Sequence, residues 1–450
     1  MAAYYKVGQD QADVPINFDS WTLDTFGFLH FLVSEDYTLI NQHVDVRHDP
    51  RIGSHSALAR EVAAKSVVLL KNVNEALPLK KPRQIAVIGE DAGEAQHGPN
   101  GCPDRGCDSG TLAMGWGSGT ANFPYLVTPL TGIQNQAILD GSVLSSVTDN
   151  YAYSQINATV PMAEVAIVFV NADSGEDYIS VDNNEGDRNN LTLWVDGDKL
   201  VSTVAANNNN TIVVLHTVGP VIVESWAKHP NITAILWAGL PGEQSGNSIT
   251  DVLYGRVNPG GKLPFTMGKK AEDWGVKLLY ESNDLSPQIP YTEGVFIDYR
   301  AFDKSGIEPT YEFGYGLSYT TFNYTGLQIA KTQAGPYVPT SGDTQPAPVL
   351  GNSSTDPNDF RFPPDFVQVR RYIYPWINST APGDQGRPGV PDGAQDGSPQ
   401  PLLPAGGAPG GNPGLYDVLY EVSATVTNTG NVVGDEVAQV VRNHAANPSP

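Results

Sequence analysis

The hydrophobic positions along the chain change their spacing several times. Leu58, Val62 and Leu69 recur at a helical spacing, and this predicted helix ends in the segment KSVVLLKN. Between residues 84 and 268, short apolar runs alternate with amphipathic segments, and such continuous apolar runs are typical of strands covered on both faces. The runs are QIAVIG at 84–89, AEVAIVFV at 163–170, TIVVLH at 211–216 and AILWAG at 234–239.

The segments between the later strands have the period of helices. Residues 199–206 and 245–254 each place leucine, isoleucine or valine on one side. Strands that alternate with helices predict an α/β fold, a mainly parallel sheet sandwiched by helices. In such sheets, ligands bind at the loops that leave the carboxyl ends of the strands. The loops after residues 89, 170 and 216 are therefore the candidate site loops.

The patterning predicts five parts. They are 1–55, aromatic and irregular; 56–80, a helix and linker; 81–320, the α/β sandwich; 321–414, a Pro/Gly-rich linker or insertion; and 415–450, the start of a β-sandwich. Proline and glycine fill 18 of the 34 positions in 381–414, which indicates an extended or flexible segment. In the last part, alternation at 422–426, a turn at 428–430 and a second run at 437–440 predict a β-hairpin.

Composition narrows the classes of function. The chain has 450 residues, of which 40% are hydrophobic, enough to build real cores. Asp and Glu number 49 against 26 Lys and Arg, a net charge of −23, which argues against nucleic acid or an anionic membrane as the main partner. No run approaches the roughly 18 apolar residues of a membrane span. A neutral or cationic ligand fits this surface better.

Two cysteines and seven glycosylation sequons indicate the cellular compartment in which the protein resides. Cys102 and Cys107 are either two free thiols or a small disulfide ring. The sequons favour the disulfide, because together they indicate a secreted, extracellular glycoprotein. They start at Asn157, Asn190, Asn209, Asn231, Asn323, Asn352 and Asn378. The first residues lack the pattern of a signal peptide, so we expect that signal upstream of Met1.

The loop after Val170 is the richest in candidate chemistry. Six acidic residues fall within 15 positions: Asp173, Glu176, Asp177, Asp182, Glu185 and Asp187. The cluster fits a solvated acidic loop, a calcium site or a carboxylic acid presented at the mouth of the sheet. Its spacing does not follow that of an EF-hand. Glu176 follows Ser174 and Gly175, a small turn from which it can project as a general acid.

Other chemistries have weaker support in the sequence. The histidines are scattered, so we predict no metal and no cofactor. Gly89 and Gly93 form only G-x-x-x-G, which leaves a nucleotide-binding α/β protein as an alternative function. There is no G-x-S-x-G elbow of a serine hydrolase. Ser118, between two glycines, suits a hydroxyl shown to a polar ligand, although a plain glycine-rich loop fits equally well.

With these residues in view, the sequence resembles glycoside hydrolase family 3, especially its secreted fungal β-glucosidases. The segments that carry the resemblance are MAAYYKVG, KSVVLLKN with ALPL, NGCPDRGCDSGTLAMGWGSGTANFPY, VNADSGEDYISVD with GDRNNLTLW, ILWAGLPGEQSGN, DVLYGRVNPGGKLPFT, GVFIDYRAFDK and FGYGLSYTTF. Their order runs from Met1 to about residue 439.

The resemblance implies a domain order of TIM-type barrel, α/β sandwich and fibronectin type III-like domain. It implies that 1–55 is the end of the barrel, 81–320 the sandwich and 415–450 the truncated start of the last domain. It also implies hydrolysis of β-glucosides with retention, by an Asp nucleophile of the barrel and Glu176 as acid/base. By the same resemblance, Ser118 reaches the glucose subsite and Cys102 and Cys107 form a disulfide beside it.

Departures from the family pattern set the remaining expectations. Most of the barrel has no counterpart here, including its nucleophile segment, and Asp177 stands where the family has glycine. Glu243 and Gln244 reverse the usual order. We therefore expect a β-glucosidase that breaks down cellobiose and cello-oligosaccharides but whose 450 residues alone turn over negligibly. A non-catalytic carbohydrate-binding remnant is a further alternative. We expect neither nucleic acid nor membrane as partner, and leave a homodimer open.

Overall fold

A computed structural model describes most of the chain between residues 55 and 332. The described residues are 55–101, 109–115, 123, 125–175, 180–181, 184–276, 279, 287–332, 341–344, 398–402 and 416–440, with the backbones of two strands at 26–28 and 37–39. The helices and strands in chain order are β1 Phe26–Phe28, β2 Tyr37–Leu39, α1 His55–Ser66, β3 Val68–Asn72, β4 Gln84–Ile88, α2 Pro129–Asp140, β5 Val143–Val147, α3 Tyr153–Thr159, β6 Val165–Ala172, β7 Ser180–Val181, β8 Asn184–Glu185, α4 Gly197–Asn207, β9 Thr211–Thr217, β10 Ile232–Trp237, α5 Ser245–Leu253, α6 Tyr299–Ser305, β11 Phe322–Lys331 and β12 Tyr420–Asn428.

A six-stranded sheet forms the centre of the described structure. Its strand order is β3-β10-β9-β6-β4-β5, and each neighbouring pair is parallel except β3 with β10. Every residue of β6 and β9 is buried, as their continuous apolar runs require. The predicted mainly parallel α/β sheet is confirmed.

Helices cover both faces of this sheet. One apolar core packs the sheet against α3 and α4, through residues such as Ile156 and Leu200. The other core packs it against α1, α2 and α5, through Ala64, Ile133 and Ile249. The amphipathic segments predicted at 199–206 and 245–254 correspond to α4 and α5.

The first predicted helix is shorter than its hydrophobic spacing indicated. Helix α1 ends at Ser66, and Leu69 lies on β3, the antiparallel edge strand of the sheet. Residues 67–70 are all but completely buried, an environment that favours the extended backbone of this valine- and leucine-rich run. Leu58 and Val62 lie on α1 as their spacing predicts, but they are 48% and 56% exposed and do not belong to the core.

The chain separates into two compact units. The first comprises residues 1–323 with 427–450, and the second comprises 324–426. Strands β11 and β12 form a two-stranded sheet, so a strand begins the segment predicted as a linker. Backbone bonds from Thr429 to Thr321 and from Thr332 to Leu419 show that the two strands are antiparallel. Most of the proline- and glycine-rich part lies outside the described residues.

The predicted hairpin after residue 420 is wrong in its second strand. β12 pairs with β11, and the described residues 429–440 contain no strand. Ion pairs hold this stretch instead, with Asp435 at 3.3 Å from Lys65 and Glu436 at 3.3 Å from Lys262.

Candidate active site

Three strands of the sheet send loops out at the same edge. β4, β6 and β9 are parallel neighbours, and their register places Ile88 beside Val168 and Asn171 beside His216. The loops after β4 and β6 are those that carry Ser118 and Glu176. Because parallel strands end at one edge, the side chains that follow them converge there.

The loop after β4 begins with a glycine that no other residue can replace. Gly89 has a φ of 112°, and a Cβ atom on it would lie 2.1 Å from the Phe169 carbonyl oxygen of β6. This close packing against the neighbouring strand explains the glycine without a bound phosphate. Gly89 therefore gives no support to a nucleotide site at this loop.

Buried polar contacts hold the start of the Ser118 loop. The Asp91 side chain accepts a hydrogen bond from the Leu112 amide at 2.7 Å and contacts His216 Nδ1 at 2.7 Å. The Gly110 amide donates to Glu90 Oε1 at 3.1 Å. The Gly242 amide donates to the Ala113 carbonyl oxygen at 2.8 Å.

The far end of the same loop is held as firmly. Asn100 and Phe123 exchange two hydrogen bonds, at 2.7 and 2.8 Å. The Tyr125 hydroxyl donates to Glu243 Oε1 and accepts from Gln244 Nε2, both at 2.7 Å. The reversed Glu-Gln pair thus anchors this end. Ser118, Cys102 and Cys107 lie outside the described residues.

The loop after β6 is closed as a hairpin on both sides of Glu176. The Gly175 amide donates to the Gly186 carbonyl oxygen at 2.9 Å, and β7 pairs with β8 beyond it. The Ser174 hydroxyl donates to Asp187 Oδ1 at 3.1 Å. Glu176 and Asp177 lie between these contacts but outside the described residues.

Asp173 lies buried at the base of this hairpin. Its side chain is 3% exposed, and burial raises its pKa to about 7, against the opposing effects of the Ser174 amide and the Arg188 charge. Oδ1 accepts from that amide at 2.8 Å, while Oδ2 has no hydrogen-bond partner among the described residues. Burial also lowers the pKa of Arg188, whose Nη1 donates to the Pro220 carbonyl oxygen at 3.0 Å.

The two loops meet at Gly115. A Cβ atom on this residue would lie 3.5 Å from Asp173 Oδ1 and 3.6 Å from Leu240 Cδ1. Gly115 comes three residues before Ser118, and Asp173 comes three residues before Glu176. The described ends of both loops therefore lie next to each other.

The predicted glycosylation positions differ in exposure. Asn157, Asn190, Asn209 and Asn323 are exposed. Asn231 is half-buried, and its Nδ2 donates to the Ala205 carbonyl oxygen at 2.8 Å. Asn352 and Asn378 lie outside the described residues.

The described part of the chain has neither a metal-ion cluster nor a membrane-spanning helix. Nowhere in it do three His, Cys, Asp or Glu side chains gather closely enough to hold a metal ion. None of its helices combines the length and apolar character needed to cross a bilayer.

A comparison with protein families decides the family of this chain. Residues 67–319, more than half of the sequence, match the glycosyl hydrolase family 3 C-terminal domain. The chain belongs to glycosyl hydrolase family 3. The matched residues include the whole six-stranded sheet and both loops of the candidate site.

Family 3 relatives extend the likeness to nearly the whole chain. A probable beta-glucosidase of Arthroderma benhamiae is 55% identical over 98% of this chain and 55% of its own length. Among solved structures, a glycoside hydrolase family 3 beta-glucosidase of Neurospora crassa is 54% identical with a TM-score of 0.83, over 96% of this chain and 53% of its own. A Chaetomium thermophilum beta-glucosidase is 56% identical with a TM-score of 0.83, over 97% and 53%. The chain thus spans about half the length of these relatives.

Local sequence patterns miss part of the polar cluster at this edge of the sheet. They do not single out Asp91 and His216, and they give Asp173 only as one member of an acidic cluster. The available signal was position: each polar residue ends or follows an apolar parallel strand, and these strand ends share one edge.

Proposed function

We propose that this chain contributes the acid/base side of a retaining β-glucosidase site. Glu176 is the acid/base residue, and Ser118 binds the glucosyl unit. The proximity of Gly115 and Asp173 carries this proposal, because it brings the described ends of both loops together at one edge of the sheet. The relatives named beta-glucosidase support the substrate class, a terminal β-D-glucosyl residue of cellobiose or a cello-oligosaccharide. They favour neither a nucleotide-binding protein nor a non-catalytic remnant.

Retaining hydrolysis assigns two successive tasks to Glu176. As an acid it protonates the glycosidic oxygen while a carboxylate nucleophile attacks the anomeric carbon. As a base it then takes a proton from the water that releases the glucosyl-enzyme. The two carboxyl groups of retaining enzymes lie about 5–5.5 Å apart. The hairpin contacts at Gly175 and Ser174 support this role, because they fix the described residues that precede Glu176 in the chain.

The same proposal includes secretion. Four exposed asparagines, Asn157, Asn190, Asn209 and Asn323, are suitable glycan acceptors. In an oxidising compartment Cys102 and Cys107 form the disulfide that the family resemblance implies. An extracellular glycoprotein of this class acts on cellulose fragments outside the cell.

A chimera tests the catalytic assignment. Joining this chain to the part of the Neurospora crassa enzyme that it does not cover should give an active β-glucosidase. In the chimera, Glu176→Gln should lower kcat/KM on cellobiose by about 10²–10⁴-fold, the usual contribution of a general acid. The loss should be much smaller on a glucoside whose leaving group needs no protonation. Glu185→Gln, an exposed carboxylate of the same hairpin, is the matched control and should keep full activity.

Two results would contradict the assignment. One is equal loss on cellobiose and on the activated glucoside, because a missing acid affects poor leaving groups most. The other is turnover by this chain alone at the rate of the chimera, since we expect the unfused chain to be nearly inactive on aryl β-glucosides. Glucose binding that Ser118→Ala weakens, without turnover in the chimera, would favour the carbohydrate-binding remnant.

A further inference from the structure

A buried histidine and aspartate lie at the edge of the sheet, where Asp91 bonds the Leu112 amide. His216 is completely buried on β9, and Asp91 is 1% exposed just beyond β4. Their contact, 2.7 Å between Nδ1 and Oδ2, joins residues 125 positions apart. Burying two such polar groups is costly unless each is well paired, so the pair calls for a specific explanation.

The Asp91 carboxylate connects the sheet to the loop. One oxygen contacts the His216 ring, and the other accepts from the Leu112 amide, also at 2.7 Å. His216 itself is fixed by the sheet, where it pairs with Asn171 of β6. A rigid strand thus sets the direction of the carboxylate, and the carboxylate sets the position of a loop amide.

The imidazole orients the carboxylate as a hydrogen-bond donor. With its proton on Nδ1, His216 donates to Asp91, and Nε2 has no partner among the described residues. A proton moved to Nε2 would be a buried donor without an acceptor there, so the contacts favour the Nδ1 proton. The charged acceptor then makes a stronger bond to the Leu112 amide than a neutral group would.

We infer that His216 and Asp91 are positioning residues that place the Ser118 loop for binding a β-glucosyl unit. This inference rests on the proposed role of Ser118. The pair holds Leu112, six residues before Ser118, while Tyr125 and Phe123 are held separately at the other end. His216 and Asp91 act through Leu112 rather than by touching substrate, because both side chains are buried.

Removing the donor of the pair should release the loop. In His216→Leu, amide hydrogen exchange at residues 110–113 should become about tenfold faster or more, and glucose affinity measured by calorimetry should fall about tenfold or more. His216→Asn should restore both, because its amide nitrogen can occupy the place of Nδ1. If His216→Leu does not fold, Asp91→Asn gives the same comparison, since its single amide oxygen can accept from the ring or from the Leu112 amide but not from both.

A half-buried carboxylate with similar partners supplies the control. Asp198 accepts from the Trp226 ring nitrogen at 2.7 Å and from the Leu193 amide at 3.1 Å, the same two kinds of donor that Asp91 has. Asp198→Asn should lower the melting temperature without changing exchange at residues 110–113 or glucose affinity. A purely structural role for Asp91 predicts that both variants behave alike.

Three results would overturn the inference. They are unchanged exchange in His216→Leu, faster exchange with unchanged glucose affinity, and equal effects of Asp91→Asn and Asp198→Asn. If the unmodified chain does not bind glucose, and the chimera with the Neurospora crassa part does not either, the proposed function fails. The exchange rates then still decide whether His216 holds the loop.

Discussion

Asp173 is a carboxyl group whose surroundings oppose its charge. It lies 3% exposed at the end of β6, with one oxygen bonded to the following amide and the Arg188 charge nearby. Burial outweighs both favourable interactions, which is why its pKa rises from 3.8 to about 7. Below that pH the group is mostly neutral, so the base of the Glu176 hairpin carries one negative charge less.

The raised pKa of Asp173 predicts a pH dependence of stability. The unfolded chain loses this proton near pH 3.8 and the folded chain near 7, so between these values the folded state binds more protons. The free energy of unfolding should therefore fall as pH rises from about 4 to 7, by up to about 4 kcal/mol, and then level off. Urea unfolding of Asp173→Asn should show a flatter profile over this range. A variant profile parallel to that of the unmodified chain would contradict the assignment.

Helices α2 and α5 cross unusually closely through two glycines. A Cβ atom on Gly246 would lie 1.9 Å from the Thr128 carbonyl oxygen, and one on Gly132 would lie 2.3 Å from that of Gly246. The Gly246 amide also donates to the Val127 carbonyl oxygen at 2.6 Å. Because these obstacles are backbone atoms, a side chain here can fit only if the helices separate.

Gly246→Ala should therefore destabilise the protein in spite of alanine's higher helix propensity. We expect a loss of about 3 kcal/mol or more in the free energy of unfolding, since the overpacked contact is between backbones. Asn135→Ala, exposed on α2, is the control and should change it by less than about 0.5 kcal/mol. Denaturant melts of the two variants would decide, and equal stability would disprove the close crossing.

Sequence patterns predict the buried central strands and miss the exposed edge strand β5. β6 and β9 are buried at every position, so their apolar runs were unmistakable. β5 is an edge strand, VLSSV, whose residues are mostly exposed and show no period. The start of α2 did carry a signal, a Thr128 cap followed by Pro129, but no apolar stripe was evident beside it. The burial of Asp173 depends on contacts distant in sequence, which no local pattern can reveal.

On the surface of the described residues, helix α1 borders an exposed apolar groove. Leu58 and Val62 of α1, with Leu240 beyond β10, line a groove of about 510 Å³. These side chains are 48%, 56% and 39% exposed. Contiguous apolar surface of this kind favours association in water. α1 itself is held by Arg60, whose guanidinium contacts Asp251 of α5 at 2.6 and 2.8 Å.

The groove predicts that the isolated chain self-associates. Light scattering should show an apparent mass that increases with protein concentration, and Val62→Lys should reduce this increase by placing a charge in the groove. Met162→Lys changes another exposed apolar residue, 68% exposed, outside the groove and should have little effect. A monodisperse chain at all concentrations would contradict the prediction.

The position of β3 at the edge of the sheet also has a consequence for biosynthesis. In the six-stranded sheet β3 neighbours β10, and on its other side Leu69 bridges Leu317. The Lys71 ammonium bonds the Ala227 carbonyl oxygen 156 residues further along the chain. At translation speeds of about 5–20 residues per second, roughly 10–30 s pass before the partner strand is made. During that interval the apolar segment Val67 to Leu70 lacks its partner strand, which makes it a candidate binding site for a chaperone on the nascent chain.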